Sequence, residues 1–286
     1  ALRHGICGDD LNFVRSLHKC SQINVSGGKT RAAFFLSHDQ RFLLKALNKM
    51  EFEKLVQEAT SLFWYFDKVL FEELPSVLTQ VIGLFTVSAT NTKKTANQKD
   101  YKGFYVVQKN ICFSLRNMDP DVFDLKGVGK QRRMETAMAS DEDGSPRMAS
   151  RVFWDQNFRE WTNGRPLCLV KEDLRYLEAA MFNDTTLLST LHLMDYSLLL
   201  AAKSPKSPSR SSGQLSMGII DYLRAYTMDK KVESTIKSLG TSLTQSHPEQ
   251  PTIIHPTEYA ARFLRAMGTY FVADCVEMKE EEESSR

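Results

Sequence analysis

The chain has 286 residues, with 37 Lys and Arg against 35 Asp and Glu, a formal net charge of +2, and 42% hydrophobic and 25% charged side chains. Its 17 Phe, 9 Tyr and 3 Trp supply enough apolar material for a real core, which excludes a wholly disordered or collagen-like chain. The near-neutral charge balance excludes a dedicated nucleic-acid binder, and no run of about 18 apolar residues offers a transmembrane segment.

Five cysteines (Cys7, Cys20, Cys112, Cys168 and Cys275) stand far apart without a Cys-x-x-Cys pair. Free thiols in a reducing compartment are therefore expected, not a disulfide or zinc scaffold. A chain that opens on Ala1, with no signal-peptide pattern after it, is expected to be a piece of a longer one.

In chain order, Arg31–Ser37 and Arg41–Lys45 read as strands around a His38-Asp39-Gln40 turn. Phe52, Leu55, Ala59, Leu62, Phe63, Phe66 and Leu70 give Glu51–Leu70 helical spacing. Leu74–Thr92 is broken by Pro75 and Gln80 into strands and turns, and Val81–Val87 with Phe104–Val107 predicts a hairpin whose loop is Ser88–Lys102. The small acidic stretch Glu135–Arg151 and the Ser/Pro/Lys stretch Lys203–Gly213 read as loops. A helix is expected over Val170–Leu198, a buried strand over Ser216–Tyr222, and an amphipathic helix over Thr257–Val272 with Tyr259, Phe263, Met267 and Phe271 on one face. Lys279–Arg286 is a solvated acidic tail. Strands early and helices later predict an α+β fold.

Gly28-Lys29-Thr30 imitates a phosphate-binding P-loop, but that motif needs a glycine where Ile23 stands, and a strand rather than a helix follows. A glycine turn between strands, followed by a strand ending in a buried Lys, is the other phosphate device: a kinase lid with Lys45 as the phosphate-contacting side chain. The helix after it offers Glu51, Glu53 and Glu58 as ion-pair partners for that Lys, and spacing alone does not choose among them. Asp195 is a lone carboxylate in an apolar segment, and Asp221 ends a buried-strand pattern. Burying an unpaired carboxylate costs several kcal/mol, roughly, so each needs a cation, a metal or a hydrogen-bond network. Asp124–Arg133 holds four cations against one anion around two glycines, a plausible anion-binding turn.

Asp124-Leu125-Lys126-Gly127, Met194-Asp195-Tyr196-Ser197-Leu198-Leu199 and Gly218-Ile219-Ile220-Asp221, in that order, resemble the signature set of the phosphatidylinositol phosphate kinases. The likeness is closest to the type III branch, the phosphatidylinositol 3-phosphate 5-kinases. Gly27-Gly28-Lys29, Ala32–Phe35, Arg41–Lys45, Asp229–Glu233 and the Pro251–Phe263 segment resemble that branch as well, so the likeness runs from about Asp10 to Phe271. Val128 stands where a Ser usually follows the Asp-Leu-Lys-Gly motif, Thr30-Arg31 where Ser-Gly is usual, and Leu200 leaves no Asn for a second metal.

The resemblance implies a two-lobed, distantly protein-kinase-like lipid kinase using ATP and Mg²⁺. An N-terminal lobe on an antiparallel sheet (1–110) would be followed by a C-terminal lobe (111–286). It implies that Gly27, Gly28 and Lys29 cover the nucleotide, that Lys45 holds its phosphates with Glu51 as partner, and that Val106–Asn110, Val107 and Asn110 included, form the hinge beside adenine. Asp195 would be the catalytic aspartate and Asp221 the metal ligand. Lys126 and Arg132 would grip the phosphate already on the inositol ring, and Lys230 and Lys231 would meet the substrate in an anionic membrane. Lys126, Lys130, Arg132, Arg133, Arg224, Lys230, Lys231 and Lys237 could form one basic face.

The expected reaction is phosphorylation of the 5-hydroxyl of phosphatidylinositol 3-phosphate, by a cytoplasmic protein peripheral on endosomal or vacuolar membranes. The alternatives are a 4-phosphate 5-kinase and a weakly active phosphoinositide-binding scaffold. Neutralising Asp195 or Asp221 is expected to abolish transfer with little loss of stability.

Overall fold

The computed structural model describes residues 2–23, 25–26, 32–90, 100–128, 150–203, 214–226 and 254–273. Two short helices, α1 (Leu2–Cys7) and α2 (Asp10–Leu17), open the chain outside the elements expected from periodicity. The Asp9 side chain caps α2 by accepting from the Asn12 N–H, and Phe13 on its inner face is buried. After β1 (Cys20–Ile23) and β2 (Val25–Ser26), the expected hairpin forms as β3 (Phe34–Ser37) and β4 (Phe42–Leu47). Its turn is fastened by Asp39, which accepts from Ser16 Oγ at 2.6 Å, Ser37 Oγ at 2.8 Å and Arg41 Nε at 2.7 Å. Burial pushes the Asp39 carboxyl up, but these bonds win and hold it well below the usual carboxylate range.

Helix α3 (Lys49–Phe71) begins at a capping box in which Asn48 and Glu51 satisfy each other's backbone N–H groups. It buries Leu55, Leu62, Tyr65 and Phe66. Strands β5 (Val81–Ala89) and β6 (Tyr101–Lys109) form the second expected hairpin. The first sheet runs β1-β3-β4-β6-β5 and is antiparallel throughout.

A 3₁₀ turn (Ile111–Leu115) leads to β7 (Asp121–Leu125), β8 (Ser150–Trp154), α4 (Asp155–Trp161), β9 (Leu167–Leu169) and α5 (Lys171–Thr190). Then come β10 (Leu193–Met194), β11 (Ser197–Ala202), β12 (Leu215–Ile220), β13 (Arg224–Ala225), α6 (Pro256–Tyr270) and β14 (Phe271–Ala273). The second sheet has the order β12-β11-β7-β8-β2, so Val25–Ser26 leaves the first sheet and pairs with β8.

The helix expected to reach Leu198 stops at Thr190. His192 turns left-handed at φ 53°, and the apolar run beyond it becomes β10 and β11. Strand β11 lies between β7 and β12 with both faces covered, so its residues are apolar without alternation. Such a run cannot be told from a buried helix by period. Likewise the last helix ends at Tyr270, and Phe271–Ala273 pair in parallel with β9. Positions 135–149, 204–213 and 274–286, which hold most of two expected loops and the tail, lie outside the described residues, as does Cys275. The other four cysteines are free thiols.

The two sheets are joined by the segment entering β5. Leu78 bridges Ile219 of β12, with Thr79 N donating to Ile219 O at 3.0 Å and Ile219 N to Val77 O at 2.7 Å. Asp184 of α5, fully buried, anchors the same segment. It accepts from Tyr65 Oη and Ser76 Oγ, both at 2.6 Å, and from Val77 N at 2.8 Å. Burial pushes its carboxyl up to about 6. Helix α3, the connecting segment and α5 therefore share one buried acceptor.

Candidate active site

The two ribbons of the second half set the positions of Asp195 and Asp221. Met194 pairs with Arg224 in the β10–β13 ribbon, and Ser197 pairs with Ile220 in the β11–β12 ribbon. The links 195–196 and 221–223 therefore face each other across one ladder. Both aspartates take left-handed backbone, φ 64° at Asp195 and 59° at Asp221, a conformation Asp tolerates better than most residues. Tyr196, fully buried, meets Tyr259 and Phe263 of α6 edge-on at 4.7 and 5.2 Å, and the Tyr259 hydroxyl donates to the Tyr196 carbonyl. Tyr222 Oη donates to Thr79 O at 2.6 Å. Each acidic link is thus held by a buried tyrosine beside it.

Lys45 arrives from the first sheet. Its cross-strand partners are Phe34 and Val106, and its side chain is only 8% exposed. Its Nζ lies 2.6 Å from Asp221 Oδ1 and 4.0 Å from Glu51 Oε1. Glu53 instead pairs with Lys49 at 3.6 Å and Glu58 with Lys54 at 2.7 Å. Among the three glutamates, Glu51 is the one brought to Lys45, because the capping box fixes it at the head of α3.

The residues expected to form the hinge alternate between the two faces of β6. Val106 opposes Lys45 across the ladder and shares its face, so Val107 points to the other side. There it is buried among Cys7, Phe13, Phe42 and Ile82. A hinge role for Val107 is therefore one for its backbone, since its side chain lies on the face away from Lys45. Asn110 is also committed: its amide donates to Gln40 O at 2.8 Å and its Oδ1 accepts from Cys112 N at 3.0 Å.

Asp195 sits between two cations. Lys126 Nζ donates to Asp195 Oδ1 at 2.8 Å and to its carbonyl at 2.7 Å, while Arg224 Nη1 pairs with Oδ2. Burial pushes the Asp195 carboxyl up, but Lys126 first and Arg224 second outweigh it and keep it below the ordinary carboxylate range. Lys126, expected to grip a substrate phosphate, is held on Asp195 in this structure.

A residue that sequence reasoning missed fixes the Lys126 turn. Asp155 at the start of α4, 1% exposed, accepts from Lys126 N at 3.1 Å, Gly127 N at 2.8 Å and Tyr270 Oη at 2.9 Å. Gly127 has φ 67°, and a Cβ there would lie 2.3 Å from Ala266 Cβ of α6, so glycine is required by both backbone and space. In sequence, Asp155 shows only an acidic residue at a helix start; nothing local links it to a turn 28 residues earlier.

Gly27, Gly28, Lys29, Arg132, Lys230 and Lys231 lie outside the described residues, as do Lys130, Arg133 and Lys237 of the expected basic face. Among the described residues no three His, Cys, Asp or Glu side chains converge on a metal position. Asp221 still suits one kind of ion. Its side chain is 42% exposed and its Oδ2 has no partner among the described residues. One carboxylate completed by phosphate oxygens and water is how Mg²⁺ is commonly held. Among the described residues no helix is long and apolar enough to cross a membrane.

The family model described as phosphatidylinositol-4-phosphate 5-kinase matches residues 16–216 and 206–270. The chain is 31% identical over 267 residues to the 1-phosphatidylinositol 3-phosphate 5-kinase FAB1 of Saccharomyces cerevisiae, covering 93% of this chain and 11% of that protein. It is 34% identical over 273 residues to the 1-phosphatidylinositol-3-phosphate 5-kinase FAB1B of Arabidopsis thaliana, covering 95% and 14%. It is 30% identical over 261 residues to the 1-phosphatidylinositol 3-phosphate 5-kinase of Homo sapiens, covering 91% and 12%. The chain thus spans between 11% and 14% of the length of these relatives. With an α+β architecture, an antiparallel first sheet and a match over most of its length, the chain has the kinase-like lipid kinase fold and belongs to the phosphatidylinositol-4-phosphate 5-kinase family.

Proposed function

We propose that the chain is the catalytic domain of a lipid kinase that transfers the terminal phosphoryl group of ATP to the 5-hydroxyl of phosphatidylinositol 3-phosphate. The observation that carries this reading is the convergence of Lys45, Glu51 and Asp221 beside the link bearing Asp195. The printed names of the yeast, plant and human relatives support the substrate. Residues 1–110 act as one lobe and 111–286 as the other.

In this reading Lys45, nearly desolvated, presents its ammonium to the nucleotide phosphates, with Glu51 and Asp221 setting its direction. Asp221 holds Mg²⁺, which when bound neutralises charge on the phosphates. Asp195 is kept ionised by Lys126 and Arg224, so its task is to orient the substrate hydroxyl and take its proton late. A carboxylate held this low is a weak base, and a loose phosphoryl-transfer transition state asks for little more. The hydroxyl oxygen forms its bond to the γ-phosphorus, the bond from that phosphorus to the β–γ bridging oxygen breaks, and ADP leaves. Gly27, Gly28 and Lys29 cover the nucleotide, and the backbone of residues 106–110, Val107 and Asn110 included, borders the adenine. Arg132 meets the ring phosphate, and Lys230 and Lys231 meet the anionic surface of an endosomal or vacuolar membrane.

The test is radiolabelled ATP with vesicles carrying the 3-, 4- or 5-monophosphate, followed by identification of the modified ring position. Label at the 5-position of the 3-phosphate lipid is expected; no labelled lipid with any of the three would overturn the reading. Preference for the 4-phosphate would favour the second reading, which the description of the matching family model motivates.

A further inference from the structure

Asp195 has a cation on each carboxylate oxygen, and the two cations differ in how firmly they are held. Lys126 is 18% exposed at its side chain, bonds both the carboxylate and the carbonyl of Asp195, and has its own backbone N–H fixed by Asp155. Arg224 is 44% exposed and makes this one ion pair among the described residues. It sits on the two-residue strand β13 and has four further guanidinium N–H donors to spare. Asp195 keeps 18% exposure with both cations in place, and the guanidinium is the partner on its Oδ2. A hydroxyl that must bond Asp195 Oδ2 competes with Arg224 for that oxygen.

We propose that Arg224 is shared between Asp195 and the phosphomonoester already on the substrate, so that the arriving phosphate draws Arg224 off Oδ2 and gives that oxygen to the hydroxyl. The proposal rests on the lipid-kinase reading above and names the device by which its site tells a ring monophosphate from an unphosphorylated ring. A phosphomonoester near neutral pH carries more charge than a carboxylate and offers three oxygens, so it is the stronger partner for a guanidinium fork. Lys126 stays behind and keeps the uncovered carboxylate ionised. An unphosphorylated inositol ring brings no anion, so Arg224 remains on Asp195 and the hydroxyl finds its acceptor covered. The same cover suppresses the side reaction in which water attacks the γ-phosphorus, giving ADP and inorganic phosphate with the water proton passed to Asp195.

The experiment has an arm that needs no turnover. Binding of the soluble glycerophosphoinositol 3-phosphate, and separately of inorganic phosphate, is measured by calorimetry with the wild-type chain, R224Q, R224K and D195N, and with D195N in the R224Q background. R224Q is expected to weaken both ligands about tenfold, R224K less. D195N is expected to strengthen them by a larger factor with Arg224 present than in the R224Q background, because Arg224 no longer has two anions to choose between. Binding of the headgroup but not inorganic phosphate would assign the site to the lipid source; equal binding of both would assign it to phosphate as such. Either supports the shared arginine, provided that R224Q weakens the binding that is seen.

In the second arm, R224Q is expected to raise lipid-free ATP hydrolysis several-fold and to narrow the preference for phosphatidylinositol 3-phosphate over phosphatidylinositol at least tenfold. It should also shift the acidic limb of the pH profile upward, since one of the cations holding Asp195 ionised is gone. Phosphate binding unchanged in R224Q, or strengthened by D195N equally with and without Arg224, would overturn the proposal. A wild-type chain that binds the headgroup through Arg224 but labels no lipid would overturn the kinase reading alone.

Discussion

Lys45 and Asp221 form one ion pair, yet deleting its two halves should have unequal consequences. The Lys45 side chain is 8% exposed and that of Asp221 is 42% exposed, at a separation of 2.6 Å. Asp221→Asn strands an ammonium in the interior with Glu51, at 4.0 Å, as its remaining anion. Removing one partner of a fully buried pair costs about 3–5 kcal/mol. With Asp221 already half in water and Glu51 in reach, about 1–3 kcal/mol is expected here. Lys45→Met keeps most of the apolar stem and removes the buried charge, leaving a carboxylate that water can solvate; its cost is expected to stay under about 1 kcal/mol. This revises the sequence-based expectation that neutralising Asp221 spares stability. Urea unfolding at pH 7, followed by tryptophan fluorescence, measures both variants, and both should also lose phosphoryl transfer in the same preparations. Asp221→Asn as stable as the wild type, or Lys45→Met as costly as Asp221→Asn, would refute the burial argument.

Asp195→Asn should lower phosphoryl transfer about 10²–10⁴-fold with little change in the KM for ATP, because its partners are Lys126 and Arg224 and not Lys45; steady-state kinetics read both. Gly127→Ala should destabilise the chain by about 2–4 kcal/mol in a thermal melt, since it forces a Cβ to 2.3 Å from Ala266 and strains a φ of 67°. Adding Ala266→Gly should restore the part due to collision and leave the part due to backbone. Asp184, its carboxyl raised by burial to about 6 from an ordinary value near 3.8, binds its proton more readily folded than unfolded. Its contribution to stability is therefore greatest below about pH 4 and is lost as pH rises toward 6, by about 3 kcal/mol from the size of the shift. Chemical unfolding across that window, wild type against Asp184→Asn, should show the difference narrowing as pH rises.

Local pattern carried much of this chain. The two hairpins and α3 follow from short-range alternation and helical spacing, and their strands and helix formed where those periods lie. Asp195 and Asp221 stood out because a carboxylate among apolar neighbours needs a partner wherever the chain places it. What those partners are was beyond local reading. Lys45 reaches Asp221 across 176 positions, and the turn at Gly127 is fastened to Asp155, 28 positions later. Val107 and Val106 differ by one place in the chain and by a whole sheet face in space, a matter of register rather than residue type. The apolar stretch after Thr190 read as more helix until its neighbours on both sides made it a central strand. Composition and period act over a few residues and so dictate elements and candidate charges. Which distant charge meets which is decided by pairing between distant strands, and here that pairing gives Lys126 to Asp195 and the two acidic links to each other.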